Sequence, residues 1–185
     1  TTLRAIAIIA QVLRQQLAQR GSHLDVLAQG EWPKLRLMER FRAGAGPQGG
    51  CILVASASFW EGFDVPGDAL QLVVIDKLPF PPPGDPLVEA RTLQIEHSGG
   101  SVFKEYALAE AAVALKQGAG RLIRHESDRG VLVVCDSRLV RMGYGKRLIA
   151  ALPPMRRLSG AEEFHAALED LASVTRTSTT DQTFL

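Results

Sequence analysis

Gln71-Leu-Val-Val-Ile-Asp76 and Gly130-Val-Leu-Val-Val-Cys135 decide the fold class. Both are unbroken apolar runs of strand length, rich in valine, and neither alternates apolar with polar residues. A strand with one face in water alternates, whereas a parallel strand covered on both faces does not. Working outward, Cys51-Ile-Leu-Val-Ala55 is a third run of this kind, and Leu24 to Ala28 is a short fourth. Helical spacing fills the segments between. Thr1 to Arg20 sets Leu3, Ile6, Ala10, Leu13 and Leu17 along one side, with Thr2 as N-cap and Gly21 as terminator. Lys34 to Arg42 sets Leu35, Met38 and Phe41 on one face behind Pro33. Leu87 to His97, Ala107 to Arg124, Gly143 to Leu152 and Ala161 to Ser173 are further predicted helices, and Thr175 to Leu185 is polar enough for a loose tail. Alternating helices and strands predict an α/β layered domain with a mainly parallel sheet. The first helix has no strand before it, so a strand is expected upstream. The chain opens on Thr1 rather than Met, as expected of a piece of a longer protein.

The 185 residues, 46% hydrophobic and 22% charged, suit one compact globular domain. With 21 Lys and Arg against 20 Asp and Glu, the formal net charge is +1, which excludes a uniformly basic nucleic-acid coat and an acidic disordered chain. The charge is locally uneven. Arg4, Arg14 and Arg20 meet no acid before Asp25, and Arg121, Arg124, Arg129, Arg138, Arg141, Lys146 and Arg147 crowd one stretch, so local basic patches remain open. Cys51 and Cys135 sit in strand-like runs and read as buried thiols of a reducing compartment. Two cysteines and four scattered histidines cannot build a zinc or iron–sulfur site alone. The apolar run Ala5 to Ala10 is too short to span a membrane or to serve as a signal core, and no asparagine offers a glycosylation site. A cytoplasmic protein is expected.

Three motifs bear on chemistry. Gly44, Gly46 and Gly49 match the dinucleotide fingerprint G-x-G-x-x-G, but that fingerprint needs a strand before it and a helix after it. Here a helix precedes and a strand follows, so the segment reads as a flexible connector. No G-x-x-x-x-G-K-[ST] occurs in these residues, so they hold no triphosphate cradle of their own. In Gln117-Gly-Ala-Gly-Arg-Leu-Ile-Arg124, a helix would bring Gln117, Arg121 and Arg124 within roughly 60° of one face. An amide and two guanidiniums there could grip an oxyanion; the other reading is a solvated polar face. Glycines inside that helix, Gly118 and Gly120, imply close approach by another backbone or a ligand. Ser56-Ala-Ser-Phe-Trp-Glu-Gly-Phe-Asp-Val-Pro-Gly67 follows the Cys51 strand, beyond a carboxyl end where open parallel sheets bind ligands. Ser56 and Ser58 could reach phosphates, Phe59 or Trp60 could stack on bases, and Asp64 could hold a ribose or an arginine. The plainer reading puts Phe59 and Trp60 in the core and Asp64 on a turn.

Taken together, Ser58-Phe-Trp-Glu-Gly-Phe-Asp-Val-Pro-Gly67 followed by Gln117-Gly-Ala-Gly-Arg-Leu-Ile-Arg124 resembles motifs V and VI of the XPD/DinG branch of superfamily 2 helicases. Lys77-Leu-Pro-Phe-Pro-Pro-Pro83 and Asp85-Pro86 between them are similar to the bacterial DinG and YoaA type. The resemblance runs from Thr1 to about Leu158 and implies the second RecA-like motor domain, a three-layer αβα fold of the P-loop NTPase type whose first strand lies upstream. Residues 159–185 are a C-terminal helix and tail without family signal. The resemblance implies an ATP-dependent DNA helicase moving 5′ to 3′ with a divided site. The family's first domain carries the P-loop, the Asp-Glu-Ala-His motif that holds Mg2+, and usually a four-cysteine iron–sulfur insertion. By likeness, Arg124 is the arginine finger on the γ-phosphate, Arg121 stands beside it, Gln117 supports both, and Gly120, Glu61, Gly62 and Asp64 lie on the nucleotide side. Ser56, Ser58, Phe59, Trp60 and Gln29 would line a track for single-stranded DNA. Implied partners are that DNA and the N-terminal motor domain of the same protein, with no membrane and a monomeric state. Two other readings stay open: a non-catalytic nucleic-acid or nucleotide-binding module of RecA-like fold, and a flavodoxin- or receiver-like domain built on Asp76 and Asp136. The last leaves Arg121 and Arg124 unexplained. A purely structural Arg124 would be tied to an acid such as Asp64 or Asp136.

Overall fold

The computed structural model describes residues 2–44, 50–59, 70–123 and 128–180, the last seven of these as backbone alone. The chain divides into two compact units, Thr1–Ala69 and Leu70–Leu185. In the first, α1 (Leu3–Gln19) opens on Thr2, whose hydroxyl accepts a hydrogen bond from the Ala5 N–H at 3.2 Å. Then come β1 (Asp25–Ala28), α2 (Lys34–Arg42) and β2 (Cys51–Val54). The strands are parallel, in register from Asp25 opposite Cys51 to Ala28 opposite Val54. Ile6 and Ala10 of α1 pack on Val26 and Ala28, with Leu13, Leu17, Ile52 and Val54 closing the edges. That is the apolar stripe the spacing predicts. On α2 the buried set is Leu37, Met38 and Phe41, and the expected Leu35 points to water. The uncompensated Arg14 finds its acid 17 residues on: its Nη1 and Nη2 donate to the two Glu31 carboxylate oxygens at 2.8 and 2.7 Å, and Nη2 also to the Val26 carbonyl at 2.6 Å. Hydrogen bonding to Arg14 holds Glu31 below the usual carboxylate range.

The second unit runs β3 (Leu72–Ile75), α3 (Pro86–His97), a π-helical stretch (Phe103–Ala107) leading into α4 (Leu108–Ala119), β4 (Val131–Val134), α5 (Arg138–Arg141), α6 (Gly145–Ala151) and α7 (Ala161–Thr180). β3 and β4 are parallel, from Leu72 opposite Val131 to Ile75 opposite Val134. Leu108, Ala111 and Leu115 of α4 are buried with Leu122, Ile75 and Leu148. α4 packs on α6, and α5 on α6. Gly145 begins α6 where any Cβ would collide with the Leu139 carbonyl, so glycine is required for that second packing. α3 is fixed by its start rather than by burial: the Asp85 carboxylate accepts from the Leu87 and Val88 N–H groups, Pro86 occupies the first turn, and none of its residues is buried.

Three expectations are corrected. The helix expected to reach Arg124 stops at Ala119, because glycine is the poorest helix residue after proline, with Gly118 in its last turn and Gly120 as its C-cap. α7 continues through Thr180, where a loose tail is expected from Thr175. Extending an existing helix adds one hydrogen bond per residue fixed, which offsets the few tenths of a kcal/mol that each Ser or Thr costs. Neither cysteine is buried: Cys51 is half-buried and Cys135, one residue past β4, is exposed. The connector reading of Gly44, by contrast, has the surroundings predicted for it, α2 before and β2 after.

Candidate functional site

In the first unit, polar side chains converge where β1 and β2 end. Gln29 follows β1 directly; its N–H donates to the Val54 carbonyl at 2.9 Å and its Oε1 accepts from the Ser56 N–H at 2.8 Å. The Ser56 and Ser58 hydroxyls are 2.8 Å apart. Lys34, the first residue of α2, donates from Nζ to the Ser58 carbonyl at 3.1 Å and lies 5.2 Å from the Phe59 ring centre. Ser56, Ser58 and Gln29 are thus brought together. Phe59 is not available with them: its side chain is 6% exposed, so its ring fills the core under Lys34 and offers no face to a base. Trp60, Glu61, Gly62 and Asp64 lie outside the described residues.

Trp32 is the residue that motif reading misses. It makes a bridge to Gln29 on the turn closed by Glu31 N–H to the Ala28 carbonyl, and Gly30 takes the positive φ of 101° that this turn needs. The residue is 38% exposed, with the Arg36 guanidinium 4.2 Å and the Arg40 guanidinium 5.7 Å from the ring centre. The signal is present as spacing: Trp32, Arg36 and Arg40 are four apart through α2.

In the second unit, Gln117 is exposed in the last turn of α4, and Gly120 and Arg121 are half-buried in the turn that follows. That turn is held by Arg121 N–H to Gly118 and Leu122 N–H to Ala119. Leu122 is fully buried against Gly130, where an added Cβ would lie 2.7 Å from Leu122 Cδ2 and 3.2 Å from the Gln71 carbonyl. Arg121 therefore sits at the amino ends of β3 and β4, and not on one helix face with Gln117 as expected. Arg124 lies outside the described residues. The Gln117 amide and the Arg121 guanidinium both carry N–H donors that suit phosphate oxygens. Among the described residues, no group of three or more His, Cys, Asp and Glu residues could hold a metal.

The carboxyl ends of β3 and β4 carry a second cluster. Asp136, 8% exposed at its side chain, accepts from the Leu78 N–H at 3.0 Å and pairs with Arg138, whose Nη2 donates at 2.6 Å and Nε at 3.0 and 3.1 Å. Hydrogen bonds from Arg138 hold its carboxyl far below the usual range, against the opposing effect of desolvation. Arg138 also covers the Phe80 ring at 5.4 Å, and Phe80, Phe103 and Tyr144 form a ring cluster with centres 5.1–6.0 Å apart. Asp136 is therefore committed to Arg138 and to the start of the proline loop. No helix among the described residues is long and apolar enough to cross a membrane.

A family model described as the helicase C-terminal domain matches residues 2–155. The ATP-dependent DNA helicase YoaA of Escherichia coli is 52% identical over 134 residues, 72% of this chain and 20% of that protein. The ATP-dependent helicase DinG of Mycobacterium tuberculosis is 40% identical over 172 residues, 93% of this chain and 24% of that protein. The 3′-5′ exonuclease DinG of Bacillus subtilis is 35% identical over 147 residues, 78% of this chain and 15% of that protein. The chain thus spans about a fifth of the curated relatives it matches. With a RecA-like α/β fold and the motifs of that branch in place, the chain belongs to the helicase C-terminal domain family, in its DinG/XPD group.

Proposed function

We propose that this chain is the second motor domain of a 5′ to 3′ ATP-dependent DNA helicase, a three-layer αβα RecA-like domain that completes an ATP site begun by an N-terminal motor domain. The family match over residues 2–155 carries the reading. The donor chemistry of Gln117 and Arg121, in a chain without a P-loop, supports it. The N-terminal motor domain holds the triphosphate and its Mg2+, and any iron–sulfur cluster belongs there too. Arg124 is the finger that meets charge developing on the transferred phosphoryl group, with Arg121 and Gln117 beside it. Gly62 and Asp64 couple that event to DNA, with Glu61 and Gly120 on the nucleotide side. Single-stranded DNA runs over the carboxyl ends of β1 and β2, past Gln29, Ser56, Ser58 and Trp60. The enzyme acts as a monomer in the cytoplasm.

The test is ATP turnover with single-stranded DNA present. The 185-residue chain alone should show none above background. In the full-length enzyme, Arg124→Ala should lower turnover about 10²- to 10⁵-fold, with DNA binding held within a few-fold. Lysine should restore little, because a point charge lacks the planar fork. DNA-stimulated hydrolysis by the chain alone, or near-normal turnover in Arg124→Ala, defeats the divided-site reading.

A further inference from the structure

Among the described residues of α2 there are four cations, Lys34, Arg36, Arg40 and Arg42, and one acid, Glu39. The neighbouring acids are already engaged: Glu31 is matched by Arg14 at 2.7 Å, and Asp25 lies 3.7 Å from Arg40. No carboxylate among the described residues pairs with Arg36, whose guanidinium rests on the Trp32 ring. Stacking uses only the π face of a guanidinium and leaves its in-plane N–H donors directed outward. Such donors suit a phosphate, to which guanidinium bonds are charge-assisted and often two-pronged. Trp32 is more than a third exposed, unusual for tryptophan, and the Gln29 bridge fixes it at the carboxyl end of β1. An aromatic platform flanked by cations is what a single strand uses: bases stack on the ring, and the charges follow the backbone.

We infer that Trp32, Arg36 and Arg40 form a further single-strand nucleic-acid subsite, with a base on the Trp32 ring and the adjoining phosphate on Arg36. Arg40 contributes less, because it is shared with Asp25. This rests on the reading of the chain as a DNA-translocating domain, and it extends the strand path from Gln29 onto the start of α2. A single strand is favoured over an acidic peptide because a peptide would use the cations and leave the indole without a role.

The experiment is titration of fluorescein-labelled oligo-dT with the 185-residue chain, read by anisotropy across a series of salt concentrations. Trp32→Ala should weaken binding about five- to one-hundred-fold, and Trp32→Phe should recover most of it. Arg36→Ala should reduce the slope of log affinity against log salt by about one, as expected when one phosphate is no longer neutralised. In a Trp60→Phe background, quenching of the remaining tryptophan by oligo-dT should report stacking directly. Wild-type binding unchanged within twofold in both Trp32→Ala and Arg36→Glu, in folded protein by circular dichroism, overturns the subsite while leaving the strand path intact. No salt-dependent binding by the wild-type chain overturns the strand path on this unit and the subsite with it. Binding to an acidic peptide that equals oligo-dT and depends on Arg36 but not on Trp32 also overturns it.

Discussion

Gln29, one residue past β1, and Asp136, two past β4, hold their respective units together in the same manner. Each directs a side-chain oxygen at a backbone N–H of the loop leaving the neighbouring strand, Ser56 in one case and Leu78 in the other. Parallel strands leave such loops untied, because no hairpin joins their ends. The chemistry of the two ties differs. Gln29 is a neutral acceptor with no cation partner among the described residues, half-buried beside serine hydroxyls and an exposed indole. Asp136 is a nearly buried carboxylate that also takes the Arg138 guanidinium, which in turn lies over the Phe80 ring. A charge can be kept there because it is paired; a neutral amide needs no such partner. One end is tied by a neutral acceptor and the other by a paired charge.

The largest effect that would break this contrast is at Asp136. Asp136→Ala strands the buried Leu78 N–H and should destabilise by about 2–3 kcal/mol in thermal melts of the isolated chain. Loss of the Arg138 pair adds little, since that side chain is nearly half exposed. A cost under about 0.5 kcal/mol would show that the proline loop is held by its own packing.

Next in size is the pH dependence. The folded-state pKa of Asp136 lies below its unfolded value, so its contribution is complete above the unfolded pKa, near 3.9, and is lost as pH falls through that value toward the folded one. Melts of wild type and Asp136→Asn should differ by about 1 kcal/mol near neutral pH and converge below about pH 4. Glu31, lowered by Arg14 in the other unit, gives a background slope of the same sign in both proteins, and the comparison cancels it. A gap that stays constant into acid would mean that Asp136 is not the titrating tie.

Much of this contrast is open to sequence reasoning, and the part that is not has definite causes. The strands are legible because Leu72–Ile75 and Val131–Val134 are continuous apolar runs, and α1 because its stripe repeats at helical spacing. The end of α4 is not legible from periodicity, because the polar repeat continues to Arg124 while helix propensity fails at Gly118 and Gly120. Phe59 reads in sequence either as a ring for a base or as a core residue; a buried ring and a stacking ring have the same composition, and burial alone decides for the core. Asp136 and Arg138 form a pair two residues apart that spacing can reveal, although the third member, Leu78 N–H, is 58 residues away and invisible to it. Trp32 escapes motif reading because it precedes α2 and completes no motif; its role follows from Arg36 and Arg40 one and two turns on.

The smallest predicted effect compares the two ties most directly, by giving the first unit the second unit's chemistry. Gln29→Ala removes the acceptor for the Ser56 N–H, and should cost about 1 kcal/mol, since Ser56 is only half-buried and water can replace part of the bond. Gln29→Glu keeps an acceptor there and makes it charged, with no guanidinium beside it among the described residues, so the stronger bond and the partial desolvation of the charge oppose each other. Stability at neutral pH should then stay within about 0.5 kcal/mol of wild type, while oligo-dT affinity falls several-fold as a negative charge enters the strand path. A tolerated melt together with weakened binding separates the structural part of Gln29 from its place beside the nucleic acid. If Gln29→Glu instead destabilises as much as Asp136→Ala, the carboxyl end of β1 is as closed as that of β4. If affinity is unchanged in the folded variant, no phosphate passes within electrostatic reach of Gln29, and the neutral tie is neutral for no reason connected with DNA.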